Sequence, residues 1–406
     1  MKALQFRVNI PLWLTVKTLG AVLGKRMYYR GPLPTVRLAD IPRPAAPRPE
    51  WVIVRTRYCG FCGSDLNLML LHDSPSASPF TSFPCIMGHE ITGIIEKKGQ
   101  DVKTFHEGQR VVIMPFLACS ARNIHPQCSS CRAGKPGNCE NFAGGDLPPG
   151  MFTGINSGVP GGFTPRMTAH KSQLFPVPDK LSDEDAVMTE PLAVALQAVF
   201  DNMPQKGERV LVIGGGVIGN LIVQSIRAIG PACKIAVIEP APHASRLAAE
   251  AGADLVIKPD SIPGKLTEFT GATYYKPLMG PDIAMGGFNR VFDTVANTVT
   301  MNTSLRMLAA MGTYSMVGIG GDVKLDLTPL WLKLQTVTGV YGYGMVPYKG
   351  KRRHVFDIAL ELMEQKKIHA GTLVTHRFRL EEYRQMIEVN LDKKAHGAMK
   401  TVVSFN

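Results

Sequence analysis

Nowhere do the 406 residues run apolar and unbroken for the ~20 positions a membrane-spanning helix needs. The nearest approach, residues 8–24 (VNIPLWLTVKTLGAVLG), is interrupted by Pro11 and Lys17, and no small-residue cleavage site follows it. Neither a span nor a signal peptide is expected there. Basic runs are as scarce. Beyond residues 349–353 (KGKRR) Lys and Arg are dispersed, and no nucleic-acid motif is present. The net charge of +12 and pI near 9.3 therefore read as a basic surface that also attracts an anionic dinucleotide, with no nucleic-acid partner. Repeats and long low-complexity tracts are absent too, which excludes a solenoid or a long disordered arm.

What is there is ordinary globular material, 45% hydrophobic and 19% charged, long enough for two or three domains. Eight cysteines in a chain of this length read as metal ligands rather than as a disulfide framework, which implies a reducing, cytoplasmic compartment. The apolar segment at 8–24, flanked by Lys25, Arg26 and Arg30, is either a helix packed on the protein or one lying on an anionic membrane surface; the packed helix is favoured.

The two halves of the chain differ in rhythm. Residues 1–6 (MKALQF), 51–58 (WVIVRTRY), 91–96 (ITGIIE) and 110–114 (RVVIM) are short β-type runs separated by Pro- and Gly-containing connectors such as 41–50 (IPRPAAPRPE). After about residue 181 strands and helices alternate. Residues 183–200 are helical in composition, 209–213 (RVLVI) is a continuous apolar run, 219–229 a helix, and 234–238 (KIAVI) the next strand. Further strands are expected at 254–257, 290–293 and 312–317, helices at 246–251 and 355–364, and a closing strand at 401–405. That pattern predicts an α/β fold with a doubly wound parallel sheet behind a mostly-β first half.

Gly214, Gly215, Gly216, Val217, Ile218 and Gly219 fit G-x-G-x-x-G between a predicted strand and a predicted helix. The glycines allow a tight turn, close approach of pyrophosphate, and helix-on-strand packing, and the helix start offers free N–H groups to phosphate. Glu239 ends the second strand at the distance where a carboxylate holds the adenosine ribose hydroxyls, which favours NAD. His243 and Arg246 stand close enough to accommodate a 2′-phosphate, so NADP remains open.

Cys128, Cys131 and Cys139 suit a closed, structural tetrahedral zinc, with Cys119 preferred to His125 as the fourth ligand. Separately, Cys62, His89, Glu90 and Glu190 offer a thiolate, an imidazole and carboxylates for a zinc with an exchangeable position, as Lewis-acid chemistry requires. Singly these are weak signals; their order together with the glycine turn raises the odds.

Taken in sequence, residues 60–65 (GFCGSD), Gly88-His89-Glu90, the Cys119–Cys139 lobe, Glu190-Pro191-Leu192 and the 214–219 turn resemble the zinc-containing medium-chain alcohol dehydrogenases, including sorbitol, threonine and related polyol dehydrogenases. The resemblance runs from about residue 36 to 405, plus the first strand. It implies a GroES-like catalytic domain from 1–190 and 343–406, with a structural zinc lobe at 115–142, and a Rossmann domain from 191–342. It implies that Cys62 and His89 ligate the catalytic zinc, that Glu190 takes the third position with Glu90 as alternative, and that Asp65 stands behind the ligands. Ser64 would relay the substrate proton, and Lys400 would lie near the cofactor pyrophosphate. A small-molecule alcohol or carbonyl substrate, one catalytic and one structural zinc, and a homodimer or homotetramer are implied as well.

Three features depart from that pattern: the long Cys119–Cys128 spacing, a slightly long 66–85 stretch, and an apparent insertion at 7–32. The expected activity is hydride transfer between an alcohol and NAD. Alternatives are a carbonyl reductase working in reverse with NADPH, and a catalytically silent dinucleotide-binding protein.

Overall fold

The computed structural model of the chain describes residues 1–259 and 262–405. It divides into two compact units, one of residues 1–190, 342–364 and 370–406, the other of residues 191–341 and 365–369.

The first unit is built on the long strand Trp51–Phe61. Its antiparallel partners are Glu90–Lys98, Arg166–His170 and the chain-closing strand Lys400–Ser404. Arg110–Ile113 and Leu174–Pro176 extend the sheet on one side, and Val374–Phe378 on the other. A second, three-stranded sheet joins Lys2–Phe6 to Val36–Asp40 and Cys85–Ile86. Alternating apolar residues turn inward in these strands, so Phe6, Val54, Phe61 and Met167 meet Met87 and Phe163, from the connecting segments, in one core. The segment expected as an insertion forms the helix Ile10–Leu23. Asn9 caps it, accepting from Leu12 N at 2.9 Å, and Gly24 ends it at a φ of +83°. One stripe of that helix packs inward, with Val16 buried and Leu12 against the core.

The second unit carries a six-stranded parallel sheet in the order Leu255–Ile257, Lys234–Ile238, Arg209–Ile213, Phe288–Asp293, Leu308–Met316, Thr336–Gly339. The order reverses between Arg209–Ile213 and Phe288–Asp293, which is where doubly wound sheets bind their ligands. Because both faces of these strands are covered, the runs RVLVI and KIAVI are apolar and buried at every position after the first rather than alternating. Helix Val217–Ile229 buries Leu221, Ile222 and Ile226. The expected single helix at 183–200 is in fact two, Asp183–Val187 and Thr189–Asp201. The break falls at Met188, the C-cap of the first, whose N-cap Ser182 is closed by a reciprocal bond with Asp185.

Candidate active site and metal centres

Strand Trp51–Phe61 delivers Cys62 to the N-cap of helix Gly63–Met69, and Asp65 accepts the Cys62 backbone N–H at 2.9 Å. Glu90 opens the neighbouring strand and His89 immediately precedes it, behind Gly88, whose φ of +94° and contact with Cys59 Sγ, 2.6 Å from where a Cβ would stand, exclude any side chain there. At Gly60 a Cβ would lie 1.9 Å from the Glu90 carboxylate, so glycine is what lets that acid fold back against the strand. One ligand atom each from Cys62, His89 and Glu90 lies within 4.8 Å of the others.

The surroundings of this triplet favour positive charge. His89 Nδ1 is 3.7 Å from Asp65 Oδ1, and its Nε2 is 3.5 Å from the Ser64 hydroxyl. Burial alone would lower the His89 pKa, yet Asp65, the Cys62 sulfur and Glu190 overcome it and raise it to about 10. A field that holds a proton so firmly favours a divalent cation at the same place. With a sulfur, an imidazole nitrogen and a carboxylate as donors, the residues fit zinc.

Glu190, at the start of helix Thr189–Asp201, was expected as the third ligand with Glu90 as the alternative. It is the alternative that closes the group of three. Glu190 is buried nearby, accepting from the Tyr343 hydroxyl at 3.0 Å; burial first, and then Glu90, raise its pKa to about 7, against the pull of His89. Lys400, expected near the cofactor pyrophosphate, has its ammonium buried and bonded to both Glu90 oxygens, 2.6 and 2.7 Å away, and to the Phe61 carbonyl, so it neutralises the carboxylate of that triplet. Burial opposes its charge, and Glu90 and Cys62 more than restore it.

The second cluster is complete in sulfur. Cys119, Cys128, Cys131 and Cys139 bring their Sγ atoms within 4.8 Å of one another, with Cys119–Cys139 at 3.6 Å and Cys128–Cys139 at 4.0 Å. A tetrahedron with zinc–sulfur arms of ~2.3 Å has edges of ~3.8 Å, so the cage has the size zinc requires. His125 is exposed and outside this group. Arg122, which sequence reasoning missed, is fully buried beside the cage and donates to the carbonyls of Leu117, Gly144, Leu147, Pro148 and Gly150. Tyr343 was missed as well. Single-residue signals of this kind do not stand out until distant segments meet.

In the second unit the glycine turn has the geometry a dinucleotide needs. Gly214 has a φ of +88°, Gly216 caps helix Val217–Ile229, and a Cβ on Gly219 would lie 1.8 Å from the Gly214 carbonyl oxygen. Val217 and Ile218 form the first turn of that helix. Glu239 is held by Gly215 N and Ala241 N, each 2.7 Å from one carboxylate oxygen. Arg246 is exposed on the following helix, with Glu250 at 3.6 Å and His243 at 3.2 Å. A cavity of about 340 Å³ opens beside the turn, lined among others by Val295, Asn297, Ile319 and Asp322.

A parallel sheet with a glycine turn at its switch point, together with a thiolate–imidazole–carboxylate centre, defines a zinc-dependent, nicotinamide-dinucleotide-linked oxidoreductase acting on CH–OH groups. Comparison with known proteins narrows this. Residues 48–179 match the alcohol dehydrogenase GroES-like domain and residues 217–365 the zinc-binding dehydrogenase domain. The chain is 28% identical to (R,R)-butanediol dehydrogenase of Saccharomyces cerevisiae, over 89% of this chain and 96% of the relative. It is also 28% identical to L-idonate 5-dehydrogenase of Vitis vinifera, over 88% of each. A zinc-binding dehydrogenase from Sinorhizobium meliloti, solved with NADP bound, superposes with a TM-score of 0.71 at 25% identity, over 91% of this chain and 95% of that one. The chain belongs to the zinc-containing medium-chain alcohol dehydrogenases.

Proposed function

We propose that the chain oxidises a secondary hydroxyl of a small vicinal diol or polyol to the ketone, with NAD as acceptor. The observation that carries this is the Cys62, His89, Glu90 triplet, supported on the substrate side by relatives named for a butanediol and for idonate. Cys62 and His89 would hold the catalytic zinc, with Glu90 and Glu190 as the carboxylates available as a third ligand. Cys119, Cys128, Cys131 and Cys139 hold the structural one.

When bound, the zinc supplies Lewis acidity toward a substrate oxygen and the dinucleotide supplies the hydride acceptor. This chain's own groups do the rest. Asp65 orients the His89 ring from its Nδ1 side, and Lys400 keeps the Glu90 carboxylate neutralised in a buried setting. Ser64, whose hydroxyl borders the His89 ring, takes the hydroxyl proton outward. Glu239 disfavours a 2′-phosphate, while Arg246 on the next helix is the group that would accept one. The active form is a dimer or tetramer, as the family resemblance implies.

The test is a panel of diols, polyols and simple alcohols with NAD and with NADP, read by reduced-cofactor absorbance. Turnover of vicinal diols with NAD, lost in Cys62→Ser and His89→Ala while cofactor binding persists, supports the reading. Wild-type turnover in either variant, or turnover of carbonyls with NADPH only, defeats it.

A further inference from the structure

Helix Ile10–Leu23 carries two apolar stripes, and the fold covers one. The covered stripe includes Val16 and Leu12, and it ends at Gly20, where a Cβ would lie 2.6 Å from the Tyr28 ring. Further round the helix, Ile10, Trp13 and Leu14 recur at i, i+3 and i+4 and stand in solvent, 78%, 40% and 54% exposed. Val22 and Leu23 continue the exposed apolar surface at the C-terminal end. A surface helix ordinarily turns polar residues outward here, and an apolar patch in that position marks an interaction surface.

The charge around it says what kind. No Asp or Glu precedes Asp40, whereas seven Lys or Arg do. Lys2 is paired with Asp40 at 2.6 Å and Arg30 with Glu388 at 2.9 Å. Lys17 lies within the outward face, its ammonium 5.7 Å from the Trp13 ring centroid, and exposed Lys25 and Arg26 follow the helix end. Two copies meeting through this face would bring like charges together with no acid in the segment to neutralise them. An indole beside a lysine, on an apolar stripe edged by cations, instead suits the headgroup region of an anionic bilayer. The helix has 14 residues and would lie flat; among the described residues no helix is long and apolar enough to cross a membrane.

We infer that helix Ile10–Leu23 docks the protein on anionic membrane surfaces. Ile10, Trp13 and Leu14 enter the boundary between headgroups and acyl chains, and Lys17 and Lys25 reach lipid phosphates. None of Ile10, Trp13, Leu14, Lys17 and Lys25 is among the metal or dinucleotide residues, so this surface is argued independently of the substrate assigned above.

The experiment is flotation of the full-length, zinc-loaded protein with vesicles of phosphatidylcholine, alone or mixed with phosphatidylserine, at low and high salt. Flotation with the mixed vesicles alone, lost at high salt, is expected. Lys17→Gln and Lys25→Gln should each weaken it about fivefold, and the double variant W13S/L14S should abolish it. Zinc content and melting temperature serve as folding controls, since these side chains are exposed. Failure of the wild type to float with phosphatidylserine vesicles at low salt overturns the inference, as does flotation of W13S/L14S like the wild type. Light scattering that shows a larger particle for wild type than for W13S/L14S would assign the face to contacts between copies and overturn it equally.

Discussion

The Lys400 ammonium lies 2.6 and 2.7 Å from the two oxygens of Glu90, and both side chains are buried. The two residues are 310 positions apart, joined because the closing strand Lys400–Ser404 pairs with Trp51–Phe61, the strand that also pairs with Glu90–Lys98. Removing one partner of such a pair strands a buried charge, a loss of about 3–5 kcal/mol, whereas removing both costs far less. Lys400→Met should therefore destabilise the zinc-loaded enzyme by an amount in that range in urea unfolding. The double variant K400M/E90Q should recover most of the loss in stability without recovering turnover. Additive losses in the double variant would show that the pair is not coupled.

The four-thiolate cage and Arg122 form a second testable relationship. Cys131→Ser should release one zinc equivalent, counted by mass spectrometry of the metal, and His125→Ala should release none. Arg122→Met should leave five lobe carbonyls without their donor and lower zinc retention at this cage about tenfold or more, as loss of outer support around a metal site does. Retention equal to wild type under chelator challenge would remove Arg122 from that role.

The glycine turn allows two substitutions to be told apart. At Gly216 a Cβ would meet nothing within 4 Å, and at Gly219 it would strike a backbone oxygen at 1.8 Å. Gly216→Ala should thus leave the fold and its melting temperature intact while weakening dinucleotide binding about tenfold, because its freedom serves ligand approach. Gly219→Ala should lose both, because its freedom serves helix-on-strand packing. Reduced-cofactor fluorescence and thermal melts separate the outcomes; unchanged binding in Gly216→Ala would refute the assignment.

These relationships also show how far the sequence can be read. The glycine turn with its flanking strand and helix is local, set by residues 209–229, and the structure reproduces it closely. The sulfur cage is nearly local as well, and distances among the four sulfurs choose Cys119 over His125. What stayed hidden is long-range. Whether Glu90 or Glu190 stands with Cys62 and His89, and where Lys400 points, depend on strand pairing across hundreds of residues. The Lys400 expectation came from the family resemblance, and nothing local to that residue marks the buried acid two strands away. The helix break at Met188 was missed because residues 183–200 carry no Pro or Gly except Pro191, in the first turn of the second helix, where proline is tolerated.

His354 ties stability to pH through a single buried ring. It packs among aromatic rings, with Phe175 at 4.7 Å and Phe356 at 5.7 Å between centroids, and its Nδ1 accepts the Phe356 backbone N–H at 3.2 Å. Burial depresses its pKa from 6.5 to about 4, and a second proton on the ring would have to displace the bond at Nδ1. Between those values the unfolded chain binds a proton that the folded chain refuses, so stability falls as pH falls. The stability is fully present above about pH 6.5, and the loss reaches about 3 kcal/mol by pH 4. His354→Gln keeps an acceptor for Phe356 N and cannot titrate. Its unfolding free energy should therefore drop by about 3 kcal/mol less than that of the wild type between pH 7.5 and pH 4, with both proteins losing the same contributions from carboxylates and bound zinc. Parallel pH profiles for the two proteins would mean that the ring is protonated in the folded state and that the aromatic cluster opens to admit water.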